Sequence, residues 1–178
     1  PEVTLANSLV GENLALTNSL VELTDGAVVT VTGDLSFDGS NTRVNGLRTN
    51  GKSTPIAVGG DLKLSGSRLY VADGSTISIG GDLTLADGSS IHNSGELYIK
   101  AAPTNGVDGA VGATLTVGGK WTMGANTLYN PVCNQTNLSI VVARAGSLEM
   151  ASTAWVSANG SGGYRGYGKG ANYNAAGY

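Results

Sequence analysis

The chain has little cysteine, histidine or charge. Its 178 residues include one cysteine and one histidine, and only 13% of them are charged. A single cysteine excludes an intrachain disulfide framework and a zinc site built from several cysteines. A single histidine excludes the usual catalytic and metal-binding arrangements that need more than one.

The chain also lacks a basic patch and a long apolar run. Its ten Lys and Arg residues are scattered singly, and the net charge is -3. Nucleic acids and anionic membranes are bound through clustered basic residues, and a membrane span needs roughly 18 consecutive apolar residues. We therefore expect no nucleic-acid partner and no membrane insertion.

Glycine is abundant, with 28 residues, and it marks a repeated phrase. Three segments align without gaps: Val31-Thr-Gly-Asp-Leu-Ser-Phe37, Val58-Gly-Gly-Asp-Leu-Lys-Leu64 and Ile79-Gly-Gly-Asp-Leu-Thr-Leu85. A fourth copy, residues 117–123, has Lys120 in place of the aspartate, and a fainter copy at residues 10–16 is interpreted as carrying one extra residue. The 38 residues from Asp82 to Lys120 indicate either one repeat with a long insertion or two short repeats.

Apolar and polar residues alternate within each copy, which is the period of a β-strand. Each copy thus predicts two short strands joined by a glycine corner, and Asp-Gly turns follow. A unit of this kind recurring every 20 to 30 residues predicts an all-β parallel β-solenoid, a right-handed β-helix of about six or seven rungs without long helices. The alternative is an antiparallel sandwich, which does not explain why the corner sequence repeats.

The predicted core consists of the apolar residues that alternation places on one side. It comprises Leu14, Leu16, Val29, Val31, Leu35, Phe37, Ile56, Val58, Leu62, Leu64, Ile77, Ile79, Leu83, Leu85, Leu97, Ile99, Leu115, Val117, Trp121, Met123, Leu138, Ile140, Val142, Leu148 and Met150.

The C-terminal segment breaks the pattern. Residues 159–178 contain no Val, Leu or Ile, so we assign residues 1–158 to a solenoid domain and residues 159–178 to a Gly/Tyr-rich tail. Four tail tyrosines could supply contact area for assembly: Tyr164, Tyr167, Tyr173 and Tyr178.

The repeated phrase, the Asp-Gly-Ser sequences at 73–75 and 87–89, and a composition rich in Gly, Ser, Thr and Asn resemble a known class. The class is the β-helical repeat region of large bacterial surface proteins, such as filamentous-haemagglutinin-type adhesins and autotransporter passengers. The resemblance covers roughly residues 5–158 and carries no active site. It implies an extracellular or cell-surface location and a structural or adhesive role.

The three repeated aspartates, Asp34, Asp61 and Asp82, are predicted to stack on successive rungs. Stacked carboxylates repel one another unless a cation lies between them, so calcium is one hypothesis. The simpler hypothesis is that each aspartate caps a glycine corner in water, and Lys120 would interrupt a calcium column.

Enzymes on β-helices need clustered charged groups. Lys63, Arg68 and Asp73 are near Asp61 in sequence, but their spacing singles out no acid–base pair. We therefore expect no enzyme and no required cofactor.

Three further features are minor. His92 is predicted to face solvent, and Cys133 is either a buried filler or a thiol that links chains. Asn134, Asn137 and Asn159 begin glycosylation sequons.

The sequence thus predicts a structural subunit of an extracellular or cell-surface filament, a homo-oligomer joined end to end through the tail. The alternatives are an adhesin that binds surface glycans and, less favoured, a polysaccharide lyase or hydrolase.

Overall fold

A computed structural model describes residues 2–5, 8–23, 27–39, 46–49, 55–71, 74–86, 96–102, 110–132 and 139–157. Within these residues the protein is an all-β parallel β-solenoid, as predicted: every strand pairing is parallel and no helix occurs. Three strand columns, here called faces A, B and C, run along it.

Each rung contributes one strand to each face. Face A contains β1 (Glu2–Leu5), β4 (Leu20–Leu23), β7 (Gly46–Thr49), β10 (Arg68–Tyr70), β13 (Glu96–Lys100), β15 (Leu128–Val132) and β17 (Trp155–Val156). Face B contains β2 (Leu9–Gly11), β5 (Val29–Val31), β8 (Ile56–Val58) and β11 (Thr76–Ile79), and face C contains β3 (Leu14–Thr17), β6 (Leu35–Asp38), β9 (Leu62–Ser65) and β12 (Leu83–Ala86). The longer strands β14 (Val111–Met123) and β16 (Ile140–Met150) continue through the corner and belong to both B and C.

The strand register places residues of the same kind above one another on successive rungs. Val31 pairs with Val58, and Val58 with Ile79, and all three are buried, which confirms the predicted inner column. Leucines form a second column on face C through Leu35, Leu62 and Leu83, followed by Trp121. These stacked columns are the hydrophobic core, and burying such side chains stabilises the fold by about 25 cal/mol per Å² of apolar surface.

The long interval between Asp82 and Lys120 is one rung with an insertion. Both halves of β14 pair with the strands of the preceding rung, β11 and β12, so no rung intervenes. The described chain therefore forms six rungs, and β17 begins a seventh on face A.

The repeated phrase covers the strands of faces B and C and does not predict the strands of face A. Its inward residues Val21, Leu69, Leu97, Ile99 and Tyr129 are buried, yet only Leu97 and Ile99 were predicted to be in the core. The strands of this face are separated by turns of varied length, so they show no common phrase.

The corner between faces C and A repeats a turn of its own. A residue in the left-handed region, with φ between 48° and 57°, precedes a hydroxyl residue whose side chain donates to a carbonyl two or three residues earlier. The pairs are Asn18–Ser19, Gly66–Ser67 and Asn126–Thr127. Because only glycine and asparagine adopt this backbone readily, they occupy the first position.

The prediction for the sixth rung is wrong by one residue on face B. Val142 pairs with Thr114 of the outward row, whereas Ala143 pairs with the buried Leu115. Ile140 is likewise outside the core register, since it pairs with the exposed Val111. A register shift between Val111 and Ala113 moves the alternation by one residue.

Candidate functional site: the aspartate corner and the open end

The corner between faces B and C carries the predicted aspartate column. Asp34, Asp61 and Asp82 lie on successive rungs, because the strands on both sides of each corner are in register. Their side chains are exposed. The predicted stacking is thus confirmed.

Each carboxylate in this column accepts a backbone hydrogen bond from the next rung. The amide of Asp61 donates to Oδ1 of Asp34, and the amide of Asp82 donates to Oδ1 of Asp61, each at 2.8 Å. The series begins with Asn13, whose Oδ1 accepts from the amide of Asp34 at 2.9 Å, and it ends at Lys120, whose amide donates to Asp82 at 2.7 Å. We call this series the corner ladder.

The corner ladder also explains why glycine precedes the aspartates. A Cβ at Gly60 or Gly81 would lie under 3.0 Å from Oδ1 of the aspartate on the preceding rung. A Cβ at Gly80 would lie under 3.0 Å from the carbonyl oxygen of Gly59. The rungs approach so closely here that only hydrogen fits.

The ladder ends in an ion pair. The amine of Lys120 pairs with the carboxylate of Glu149, and both side chains are solvent-exposed. A hydrogen bond and the opposite charge raise the pKa of Lys120 above its ordinary value and lower that of Glu149. The lysine that replaces aspartate in the fourth copy thus links the fifth rung to the sixth.

The corner ladder supports the capping hypothesis for the aspartates. One oxygen of each accepts an amide, and no group of three or more His, Cys, Asp or Glu residues lies close enough to hold a metal ion within the described ranges. The calcium candidates Asp34, Asp61 and Asp82 are therefore spaced along a column and are not gathered around one point.

The charged residues weighed for an enzyme lie on different faces. Asp61 is at the corner, Lys63 is exposed on face C, and Arg68 is on face A. Asp73 is outside the described residues, as are the predicted core residue Leu138, the residues His92, Cys133, Asn134, Asn137 and Asn159, and the tail tyrosines Tyr164, Tyr167, Tyr173 and Tyr178.

The second candidate site is the C-terminal end of the solenoid. Leu148 and Met150 occupy core positions, in register with Trp121 and Met123 of the fifth rung. The fifth-rung residues are 5% and 1% exposed, whereas Leu148 and Met150 are 53% and 41% exposed. Val156, in register with the buried Tyr129, is 50% exposed. This surface, here called the open end, is a core cross-section that faces solvent.

Within the described residues, the backbone at the open end is also unpaired on one side. Among the described residues β16 pairs only with β14, and β17 pairs only with β15. Parallel strands with a free edge are templates for further pairing. The sequence placed Leu148 and Met150 in the predicted core, but their degree of exposure depends on the number of rungs.

No part of the described chain forms a helix that could cross a bilayer. Comparisons with protein-family models, curated proteins and solved structures find no match to this chain.

Proposed function

We propose that this protein is a structural subunit of an extracellular or cell-surface filament, in which solenoids stack end to end. The proposal rests on the open end, which exposes apolar core residues together with strand edges that no described strand covers. An incoming first rung would bury both. This is how a solenoid core is extended from one rung to the next.

The two ends have matching corners. In the inner rungs, three residues separate the last inward residue of face B from the first of face C, as Thr32 to Asp34 separate Val31 from Leu35. The first rung has only two residues at this corner, Glu12 and Asn13. The sequence predicted one extra residue in this copy, but the corner is one residue shorter than in the inner rungs. The last rung likewise has only Gly146 and Ser147, between Ala145 and Leu148.

Stacking a first rung on a last rung superposes these short corners. Leu14 of the incoming copy then lies over Leu148, and Leu16 lies over Met150. Leu14 and Leu16 are only partly buried in the single chain, so they have apolar surface left to cover. Register matters in such a joint because a slip of one residue would turn the apolar side chains outward.

The resemblance of the repeats to bacterial surface β-helices supports an extracellular location and a structural role without catalysis. The tail follows β17 and so begins at the proposed joint, where Tyr164, Tyr167, Tyr173 and Tyr178 could add contact area.

Assembly is tested with the double substitution Leu148→Lys and Met150→Lys. Both side chains are already about half exposed, so we expect the variant to fold and to form no filaments in electron microscopy or sedimentation. Because its first rung is intact, it should also add to wild-type filaments and shorten them at substoichiometric amounts.

The matched control is Thr76→Lys with Ser78→Lys, two exposed positions with the same spacing on β11. This control should assemble normally. Filaments of ordinary length from the Leu148/Met150 variant, or a wild-type protein that stays monomeric at high concentration, would overturn the proposal.

One observation favours a second candidate, a glycan-binding surface on face A. Tyr70 and Tyr98 contact each other on its outward side, with ring centroids 5.4 Å apart and the ring planes tilted by 39°. Tyrosine rings offer apolar surface with a polar edge, which suits sugar rings. Titration of neutral and acidic oligosaccharides against the wild type and Tyr98→Ala would detect binding that depends on this pair, and identical titrations would count against it.

A further inference from the structure

The open end contains a cavity of about 300 Å³ between the fifth and sixth rungs. Its apolar wall includes Trp121, Met123, Tyr129, Leu148 and Val156. Trp121 and Tyr129 meet edge to face, with ring centroids 4.8 Å apart. The cavity is therefore a pocket with two aromatic side chains in its wall.

The cavity exists because the sixth rung has small residues at core positions. Ala143 is in register with Leu115, and Ala145 is in register with Val117. Both alanines line the cavity. The last rung thus lacks side-chain volume that the preceding rung has at the same positions.

Two polar atoms of residues that line the cavity have no hydrogen-bond partner among the described residues. They are Nε1 of Trp121 and the hydroxyl oxygen of Tyr129, and each residue is 95% buried. Buried polar groups of this kind are normally satisfied. Neither atom is accessible to solvent, so an occupant of the cavity would meet the apolar surfaces of these two rings and would itself bring an apolar body.

We propose that one tyrosine side chain of the tail, residues 159–178 of the same chain, occupies this cavity. The tail begins three residues after Val156, which lines the cavity. Tyr164 is seven residues beyond Ser157, and such a segment spans up to roughly 23 Å when extended. The tail can therefore reach the cavity without leaving its own solenoid.

The chemistry of the tail matches the cavity. Its only large apolar side chains are the tyrosines, since it contains no Val, Leu, Ile, Met, Phe or Trp. A phenol ring supplies the volume that Ala143 and Ala145 do not.

This inference does not depend on the stacking of copies. A tail tyrosine would complete the sixth rung of a single chain, and the next copy would then stack on a filled surface. Filament formation tests the proposed function, whereas the experiments below measure the monomer at dilute concentration, so the two can fail separately.

The first test follows the Trp121 indole N–H by NMR in a full-length Trp155→Phe background, which leaves Trp121 as the only tryptophan. Replacing Tyr164, Tyr167, Tyr173 and Tyr178 by serine should shift this resonance and speed its hydrogen exchange at least about tenfold. A tail carrying Asn159→Ser, Arg165→Ser, Lys169→Ser and Asn172→Ser keeps the tyrosines and should match the parent. An unchanged resonance and exchange rate in the tyrosine variant would overturn the proposal.

The second test fills the cavity from within. Ala143→Leu places there the side chain that Leu115 carries one rung earlier, so the fold should tolerate it. The displaced tail should then be cleaved by trypsin at Arg165 and Lys169 about tenfold faster, whereas the outward-facing control Ala57→Leu should change nothing. Equal cleavage in both variants would overturn the proposal, and so would protection that depends on protein concentration, because the occupant would then come from a second copy.

Discussion

The backbone amide of Asp82 lies 2.8 Å from Oδ1 of Asp61 and donates a hydrogen bond to it across the gap between two rungs. Asp61 makes the same contact with Asp34 through its own amide. Every internal aspartate of the corner ladder therefore acts twice, as an acceptor for the following rung and as a donor to the preceding one. The ladder joins rungs at the point where glycine corners interrupt the strand pairing.

Asp61→Ala should destabilise the protein by about 1 kcal/mol, because the amide of Asp82 loses its acceptor. Asp61→Asn should stay within about 0.5 kcal/mol of the wild type, since an amide oxygen accepts equally and Asn13 already does so in the first rung. Urea unfolding measures both changes. Equal losses in the two variants would show that charge matters at this corner, and not the acceptor.

Calcium should leave the melting temperature of the wild-type protein unchanged relative to EDTA. One oxygen of each ladder aspartate already accepts an amide, and the aspartates are spread along a column. Calorimetry with and without millimolar calcium checks this expectation. A calcium-dependent rise that Asp61→Asn removes would restore the calcium hypothesis.

Gly80→Ala should cost about 2 kcal/mol, because its Cβ would press against the carbonyl oxygen of Gly59, a backbone atom that cannot move aside. Gly11→Ala is the matched control from the first rung. A Cβ at Gly11 meets nothing within 4 Å, so this change should be neutral or stabilise by about 0.5 kcal/mol through the unfolded chain. Thermal unfolding of the two variants gives the comparison, and similar behaviour would contradict the close approach of the rungs.

Lys120→Met should raise the pKa of Glu149 towards its ordinary value, because the lysine is the main cause of the lowered pKa. An NMR titration of the Glu149 carboxyl carbon follows this change directly. The control Lys63→Met removes an exposed lysine that is not paired with Glu149 and should leave the titration unchanged. A Glu149 titration that is the same in all three proteins would show that the ion pair does not form in solution.

Stability should fall between about pH 10 and pH 12 in a way that depends on Tyr129. Burial raises the pKa of Tyr129 from 10.0 to about 12, so the folded state holds this proton after the unfolded state has released it. The stabilising contribution is complete below pH 10 and is lost as pH rises towards 12, with a total on the order of 2 kcal/mol. The loss over this pH range should be smaller in Tyr129→Phe by that amount, as measured by denaturant unfolding. Parallel pH profiles for the two proteins would contradict the burial of this hydroxyl.

The strand pairs around the glycine corners could be predicted from sequence because their signal is local. Alternation over Ile77 to Leu85 and the copies at Val58 and Val31 identify inward residues, and a parallel register then follows from repetition. Face A gave no such signal, because its strands lie between turns of unequal length. Residues such as Val21 and Leu69 therefore entered the core only in the tertiary structure.

The candidate sites were predictable to different degrees. The sequence showed that Asp34, Asp61 and Asp82 are equivalent, but it left open whether their carboxylates bind a cation or an amide. The ion pair of Lys120 with Glu149 was not predicted, since it joins residues 29 apart in sequence. Nor was the cavity, because Ala143 is an unremarkable residue until its register partner is known to be Leu115.

The sequence by itself determined that the chain coils, where the corners between faces B and C lie and which residues stack on these two faces through the fifth rung, because alternation and repetition are properties of short segments. Only the tertiary structure decided the third face, the partner of each carboxylate and the exposure of Leu148 and Met150. These three features depend on which rungs are neighbours and on whether another rung covers the sixth. A residue with the same local pattern is buried in the fifth rung and half exposed in the sixth, since burial is decided by neighbours that are distant in sequence.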